Sequence, residues 1–147
     1  MTATETERST ETIAPVAAFL DALVRGDREA ALGLVTEDLT YINVGMPTIR
    51  GRRGLDRAFG GLWRGRARFG YHMNHVAAEG DVVLTDRVDW ITVGRFRAVF
   101  WVYGRFVVKD GQITVWRDSF DYADMAVGIV RGLVGVLVPA VNRQTPA

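Results

Sequence analysis

Residues 96–120 read Phe96-Arg97-Ala98-Val99-Phe100-Trp101-Val102-Tyr103-Gly104-Arg105-Phe106-Val107-Val108-Lys109-Asp110-Gly111-Gln112-Ile113-Thr114-Val115-Trp116-Arg117-Asp118-Ser119-Phe120. Two alternating runs flank an Asp-Gly pair, which is a strong hairpin signal. Side chains on a strand alternate faces. One face of the first run carries Phe96, Ala98, Phe100, Val102 and Phe106, and the other carries Arg95, Arg97, Val99, Trp101 and Arg105. The all-apolar face is therefore the inward one. On the second run Trp116, Asp118 and Phe120 share a face, so a carboxylate stands between two aromatics where an interior should be apolar.

Working outward, residues 81–93 form a strand that Gly94-Arg95 turns into residues 96–108. Residues 67–78 form another, closed by Glu79-Gly80-Asp81. Before this meander the spacing is helical over residues 11–34, with Ile13, Val16, Ala17, Leu20, Leu23 and Val24 in one stripe. Gly26-Asp27 interrupts it, and Asp27 is a suitable N-cap for a second short helix. A strand over residues 39–44 ends at Gly45-Met46-Pro47, residues 52–63 have helical spacing, and residues 122–137 form a closing helix. Helices followed by four consecutive strands on short turns predict an α+β fold with a curved, largely antiparallel sheet. Such a sheet, covered by helices on one face, makes a cone around a deep apolar pocket.

At 147 residues, 48% hydrophobic and 24% charged, the chain has the size and composition of one globular domain. Residues 11–140 are expected to form it, with residues 1–10 a disordered leader and residues 141–147 a flexible tail. The polar start does not resemble a signal peptide, and residues 125–141 lack the uninterrupted apolar run of a membrane span. The expectation is a soluble, cytoplasmic protein with no stable membrane insertion. The absence of cysteine excludes disulfides, thiolate metal sites and cysteine nucleophiles. A net charge of +1 gives no global pull toward nucleic acid. Residues 50–68 hold seven arginines against one acid, Asp56, and are read as a solvated helix face rather than a nucleic-acid patch. His72 and His75 fall on opposite faces by parity, so no metal pair is expected, and the glycines match no phosphate-cradling loop.

Asp118 is not alone. In Leu84-Thr85-Asp86-Arg87-Val88-Asp89-Trp90-Ile91, Arg87 and Asp89 point the same way as Val83 and Ile91. In Leu39-Thr40-Tyr41-Ile42-Asn43-Val44, Tyr41 and Asn43 are another i, i+2 pair. A lone buried Asp–Arg pair is more often structural than functional. Five polar groups on inward parity in one small domain are another matter. An arginine between two acids offers donors to both. Two acids in an apolar pocket cannot easily both ionise, so one holds a proton while the other accepts one. Tyr41 and Asn43 can fix a water, and a carboxylate beside a held water is a general base with its nucleophile. Opening of an epoxide ring fits such a set without metal or cofactor.

Tyr41-x-Asn43, Thr85-x-Arg87-x-Asp89 and Trp116-Arg117-Asp118-x-Phe120-Asp121, in this order, resemble the limonene-1,2-epoxide hydrolase family, in particular members that accept bulky lipid or sterol epoxides. The likeness runs over about residues 13–138. It implies a mixed sheet of the type shared by nuclear transport factor 2, SnoaL-like proteins and ketosteroid isomerase. It also implies Asp118 as the base, Tyr41 and Asn43 as water holders, Asp89 as the acid and Arg87 as the bridge. The product would be a vicinal diol formed in one step, without a covalent intermediate. Ser119 departs from the family, where an aromatic is common.

By parity or by that resemblance Ile91, Phe100, Val102, Trp116, Phe120 and Met125 line the substrate pocket, implying a terpene, styrene-like or sterol epoxide without charged groups. A homodimer is expected, and Gly128, Gly132 and Gly135 of the closing helix would suit close helix packing. Two alternatives share the fold: a ketosteroid-isomerase-like or polyketide-cyclase-like enzyme, and a non-catalytic carrier of hydrophobic ligands. A cation between the acids speaks against an isomerase pocket.

Overall fold

In the computed structural model, which describes residues 2–143, the chain opens with helix α1 (Ala3–Arg25). Thr2 and Glu5 form a capping box at its start. Thr6, Thr10 and Thr12 then donate to the carbonyls four residues back. These local bonds let polar residues that read as a disordered leader continue the helix, so that expectation fails for Ala3 to Thr10. The apolar stripe buries Val16, Phe19, Leu20 and Leu23, whereas Val24, expected in the stripe, is exposed. Gly26 adopts φ 64°, which a left-handed helix end requires, and Asp27 caps α2 (Arg28–Gly33) by accepting from Ala30 N at 3.1 Å.

Strand β1 (Val35–Asn43) begins earlier than its sequence pattern suggests, with an irregularity between Val35 and Thr40. The short β2 (Ile49–Arg50), unforeseen from the sequence, pairs with it. The helix expected over residues 52–63 is two pieces, α3 (Gly51–Ala58) and α4 (Gly60–Trp63). The break at Phe59, before Gly60-Gly61, turns its ring toward Tyr41, with centroids 5.9 Å apart.

Strands β3 (Arg68–Glu79), β4 (Val82–Val93), β5 (Phe96–Lys109) and β6 (Gln112–Phe120) form the predicted meander. The six-stranded sheet has the order β2-β1-β6-β5-β4-β3, with β1 and β6 parallel and every other pair antiparallel. It is curved and unclosed. Its concave face buries Val83, Phe106, Ile113 and Trp116 against α1 and α3. Each such side chain stabilises the fold by about 1.5–3 kcal/mol relative to exposure.

The pairing of β5 with β6 stops at Val102 and Phe120, leaving the first half of β5 without that neighbour. Helix α5 (Tyr122–Leu137) takes the vacated place. The Asp124 carboxylate accepts from Trp101 N at 2.8 Å, and Gly128 and Gly132 lie against the carbonyls of Val99 and Arg97 so closely that a Cβ at either would overlap them. Close packing by these glycines is thus spent on the chain's own strand edge, not on a second helix. A 3-10 turn, Pro139–Arg143, follows, so the expected flexible tail begins in ordered backbone. Met1 and residues 144–147 lie outside the described residues.

Candidate active site

Sheet register assembles the site. Tyr41 and Asn43 on β1 stand opposite Trp116 and Asp118 on β6. Asp118 in turn stands opposite Gly104 on β5, and Gly104 opposite Thr85 on β4. Arg87, two residues along from Thr85, extends over the bare backbone at Gly104. It donates through Nε to both oxygens of Asp89 at 2.9 and 3.1 Å, and through Nη2 to Asp118 Oδ2 at 2.6 Å. Its Nη1 donates to Thr85 Oγ1 at 3.0 Å. The other oxygen of Asp118 accepts from the Trp116 indole at 2.8 Å. The Tyr41 hydroxyl donates to Asn43 Oδ1 at 3.0 Å. All five polar residues singled out from the sequence therefore meet in one place.

Arg87 is fully buried, and Asp89 and Asp118 are 4% and 3% exposed. Burial raises both acids above the ordinary carboxylate range, against the pull of the Arg87 charge and its hydrogen bonds; Asp89 is pushed up to about 6. Burial works against the charge of Arg87 as well, but two neighbouring carboxylates outweigh it and hold its pKa above the usual value. The Tyr41 hydroxyl is also raised, by burial and then by the charge of Asp118, so it stays protonated. One fixed cation beside two acids of raised pKa is an arrangement that retains a proton near neutral pH.

The two aspartates, Tyr41 and Asn43 face a cavity of about 450 Å³. Its remaining wall is apolar. Ile91, Phe100, Trp116, Phe120 and Met125 line it, as the sequence suggested, whereas Val102 does not: it is fully buried beneath the wall between Arg87 and Phe120 in the register. Further wall comes from Leu23, Phe59, Phe69, Phe96 and Ala98, with Met46 and Ile129. Of these, parity within the meander could reveal Phe69, Phe96 and Ala98. Trp116 anchors the floor, stacked on Tyr41 with centroids 4.0 Å apart and on Phe106 at 5.9 Å.

Two supporting residues escaped the sequence reading as functional positions. Thr85 orients the guanidinium, and Gly104 makes room for it, since a Cβ there would overlap Arg87 Nη1 and Thr85 Oγ1. The parity argument also fails for the histidines. A register shift between Met73 and His75 brings His72 and His75 to the same groove on the convex face, where His75 pairs with Asp86 at 3.0 Å.

The model of the limonene-1,2-epoxide hydrolase catalytic domain matches residues 10–131. The chain is 42% identical over 127 residues to the epoxide hydrolase EphG of Mycobacterium tuberculosis, covering 86% of this chain and 85% of that one. A solved structure of an M. tuberculosis LEH-like epoxide hydrolase superposes with a TM-score of 0.85 at 42% identity, covering 93% of this chain and 97% of the other. An NTF2-like protein from Burkholderia xenovorans shares the fold at 21% identity, with a TM-score of 0.68 over 82% of this chain and 97% of its own. With the match running through every strand and both site aspartates, the chain belongs to the limonene-1,2-epoxide hydrolase family.

Proposed function

We propose that the protein is an epoxide hydrolase that adds water to an apolar epoxide in one step. The carrying observation is the pair of buried aspartates on a single buried arginine, both facing an apolar cavity beside Tyr41 and Asn43. The donors around the acids divide their roles. Each oxygen of Asp118 takes a different donor, Arg87 and Trp116, while both oxygens of Asp89 share the one Nε–H. Donors favour the anion, so Asp118 is the carboxylate and Asp89 keeps the proton.

The Tyr41–Asn43 hydrogen bond leaves the tyrosine oxygen as an acceptor and the asparagine amide as a donor. A water giving one hydrogen to Asp118 and one to Tyr41, and accepting from Asn43, keeps one lone pair for attack. As that oxygen bonds to a ring carbon, its proton passes to Asp118. That carbon's own bond to the ring oxygen, on the face away from the water, breaks as the new bond forms, and the ring oxygen takes the proton of Asp89. A vicinal diol results, and return of the proton from Asp118 to Asp89 restores the site. Acid, base and water balance the reaction with no other reagent. The lining supports a substrate without charge, of terpene, styrene-like or sterol type.

Diol formation from a panel of such epoxides tests the reading, with Asp118→Asn as control. Conversion by the parent chain that vanishes in the variant supports it; ligand binding without conversion would favour a carrier. In ¹⁸O-labelled water, label must enter the diol in the first turnover, because a covalent aspartyl ester would delay it to the second.

We also infer a homodimer. Leu84, Trp101 and Tyr103 are exposed together on the convex face of the sheet, an apolar patch of the kind that closes isologous contacts. Light scattering of the parent chain and of Tyr103→Arg checks it: a monomeric parent would refute the dimer.

A further inference from the structure

The mouth of the cavity is set by the ends of several elements. Ile91 near the end of β4, Met46 after β1 and Ile129 on α5 line the cavity and are also exposed, at 40%, 48% and 42%. At this end β3 begins, with Arg68 opposite Thr92, and β4 turns into β5 through Val93-Gly94-Arg95. Helix α5 runs toward it, since Asp124 meets Trp101 while Gly132 meets Arg97 and Phe96.

Charge is distributed unevenly about this mouth. Arg64, Arg66 and Arg68 are exposed at the start of β3 and make no ion pair among the described residues, and Arg95 is exposed on the β4–β5 turn. The stretches that carry the mouth residues, 43–50, 62–70, 90–98 and 125–143, contain no Asp or Glu. The acids nearest this end are engaged: Asp21 accepts from the Tyr71 hydroxyl, Asp27 caps α2 and Asp56 pairs with Arg28. Glu79, Asp81 and Asp110 occupy the turns at the opposite end of the sheet, where the Thr12 hydroxyl bonds the Gly80 carbonyl and brings the acidic first half of α1. A net charge of +1 thus conceals a concentration of exposed arginines at the mouth and of acids at the far turns.

The rim is apolar as well as basic. Met125, Ile129, Leu133 and Leu137 repeat every four residues along one line of α5. The first two line the cavity; Leu133 and Leu137 continue past it and are 58% and 84% exposed. Val93, on the facing turn, is 48% exposed. Exposed aliphatic side chains beside arginines, with no carboxylate among them, make a surface complementary to an anionic lipid layer.

We propose that the mouth end docks on the surface of an anionic bilayer, with Arg64, Arg66 and Arg68 among the phosphates and Leu133, Leu137 and Val93 at the acyl boundary. The line from Leu137 to Met125 then gives an apolar substrate a continuous path from the lipid to the cavity, without passage through water. No helix of the described residues is long and apolar enough to cross the membrane, so contact is peripheral. The docking itself does not depend on the reaction proposed above; delivery of an epoxide by it does.

Co-sedimentation with phosphatidylcholine vesicles, with and without phosphatidylglycerol, tests the docking. Binding to the phosphatidylglycerol vesicles is expected, weakening as salt rises and much lower on phosphatidylcholine alone. The pair Arg66→Glu and Arg68→Glu should reduce it at least about tenfold. Leu133→Ser with Leu137→Ser should reduce it by a similar factor. Both pairs should leave hydrolysis of a water-soluble epoxide in vesicle-free buffer unchanged, which shows that they still fold. No binding to phosphatidylglycerol vesicles, or binding indifferent to both pairs, overturns the proposal. So does a vesicle-free parent whose oligomer dissociates on the leucine substitutions, because the face then belongs to a second copy of the chain. A chain that binds vesicles but hydrolyses no epoxide would refute the reaction and leave the docking standing.

Discussion

Gly104 faces Asp118 across the β5–β6 ladder, and the space above its α-carbon is filled by the guanidinium of Arg87 on the far side. The arginine spans three strands because the middle one presents no side chain. Gly104→Ala should therefore act as an overpacking change at the centre of the site. Its expected cost is about 1–3 kcal/mol of stability, and displacing Arg87 from Asp118 should lower kcat by about 100-fold or more. Thermal melts and diol formation measure the two effects. A variant with parent-like activity would show that the bridge is dispensable.

The acids can be separated by isosteric replacement. Asp118→Asn and Asp89→Asn should each reduce kcat by about 10²–10⁴-fold, the usual worth of a positioned base or acid. Asp89→Asn should cost less stability than Asp118→Asn, because Asp89 is the acid that keeps its proton while Asp118 is the anion paired with buried Arg87. Chemical denaturation of the two variants beside the parent checks this. Equal losses of stability in the two variants would show that the acids do not divide the charge in this way.

The pH dependence has a definite sign. Asp89 holds its proton to about 6 in the folded chain, against 3.8 as its ordinary value. The native state therefore binds more protons than the unfolded one between these values. Its contribution, roughly 3 kcal/mol, is fully present below pH 3.8 and is lost as pH rises through about 6. The same deprotonation removes the general acid, so kcat/KM should fall on an alkaline limb that belongs to the coupled pair. Rates measured across neutral pH test this, and a flat profile would remove Asp89 as the proton donor.

Much of this site was legible in the sequence because strand parity is strict and the strands are long. Parity placed Arg87 and Asp89 on one face and Asp118 with Trp116. What parity cannot carry is which residues from different strands meet, since register depends on turns and bulges. The irregularity after Met73 reversed the reading of His75 for that reason. Gly104 was silent because a missing side chain acts only through the neighbour that fills its place. Val102 shares the inward face of Phe100, but its register neighbours Arg87 and Phe120 flank it and it is fully buried beneath the wall. The leader read as disordered because helical bonds made by threonine hydroxyls leave no apolar period to detect.

Trp116 makes a last case, in which one side chain both packs and positions. Its ring stacks on Tyr41 and Phe106, while its Nε1 donates to Asp118 Oδ1 at 2.8 Å. Trp116→Phe should keep much of the stacking and remove the donor. Loss of a hydrogen bond to a charged group costs about 1.5–3 kcal/mol, here borne by the Asp118 anion, so the pKa of that acid should rise further. The acidic limb of the pH–rate profile should then move to higher pH, with kcat reduced about tenfold or more at neutral pH. KM should change less than kcat, since the apolar wall is largely retained. A variant whose KM rises while its pH profile stays fixed would mean that Trp116 serves the cavity only as wall.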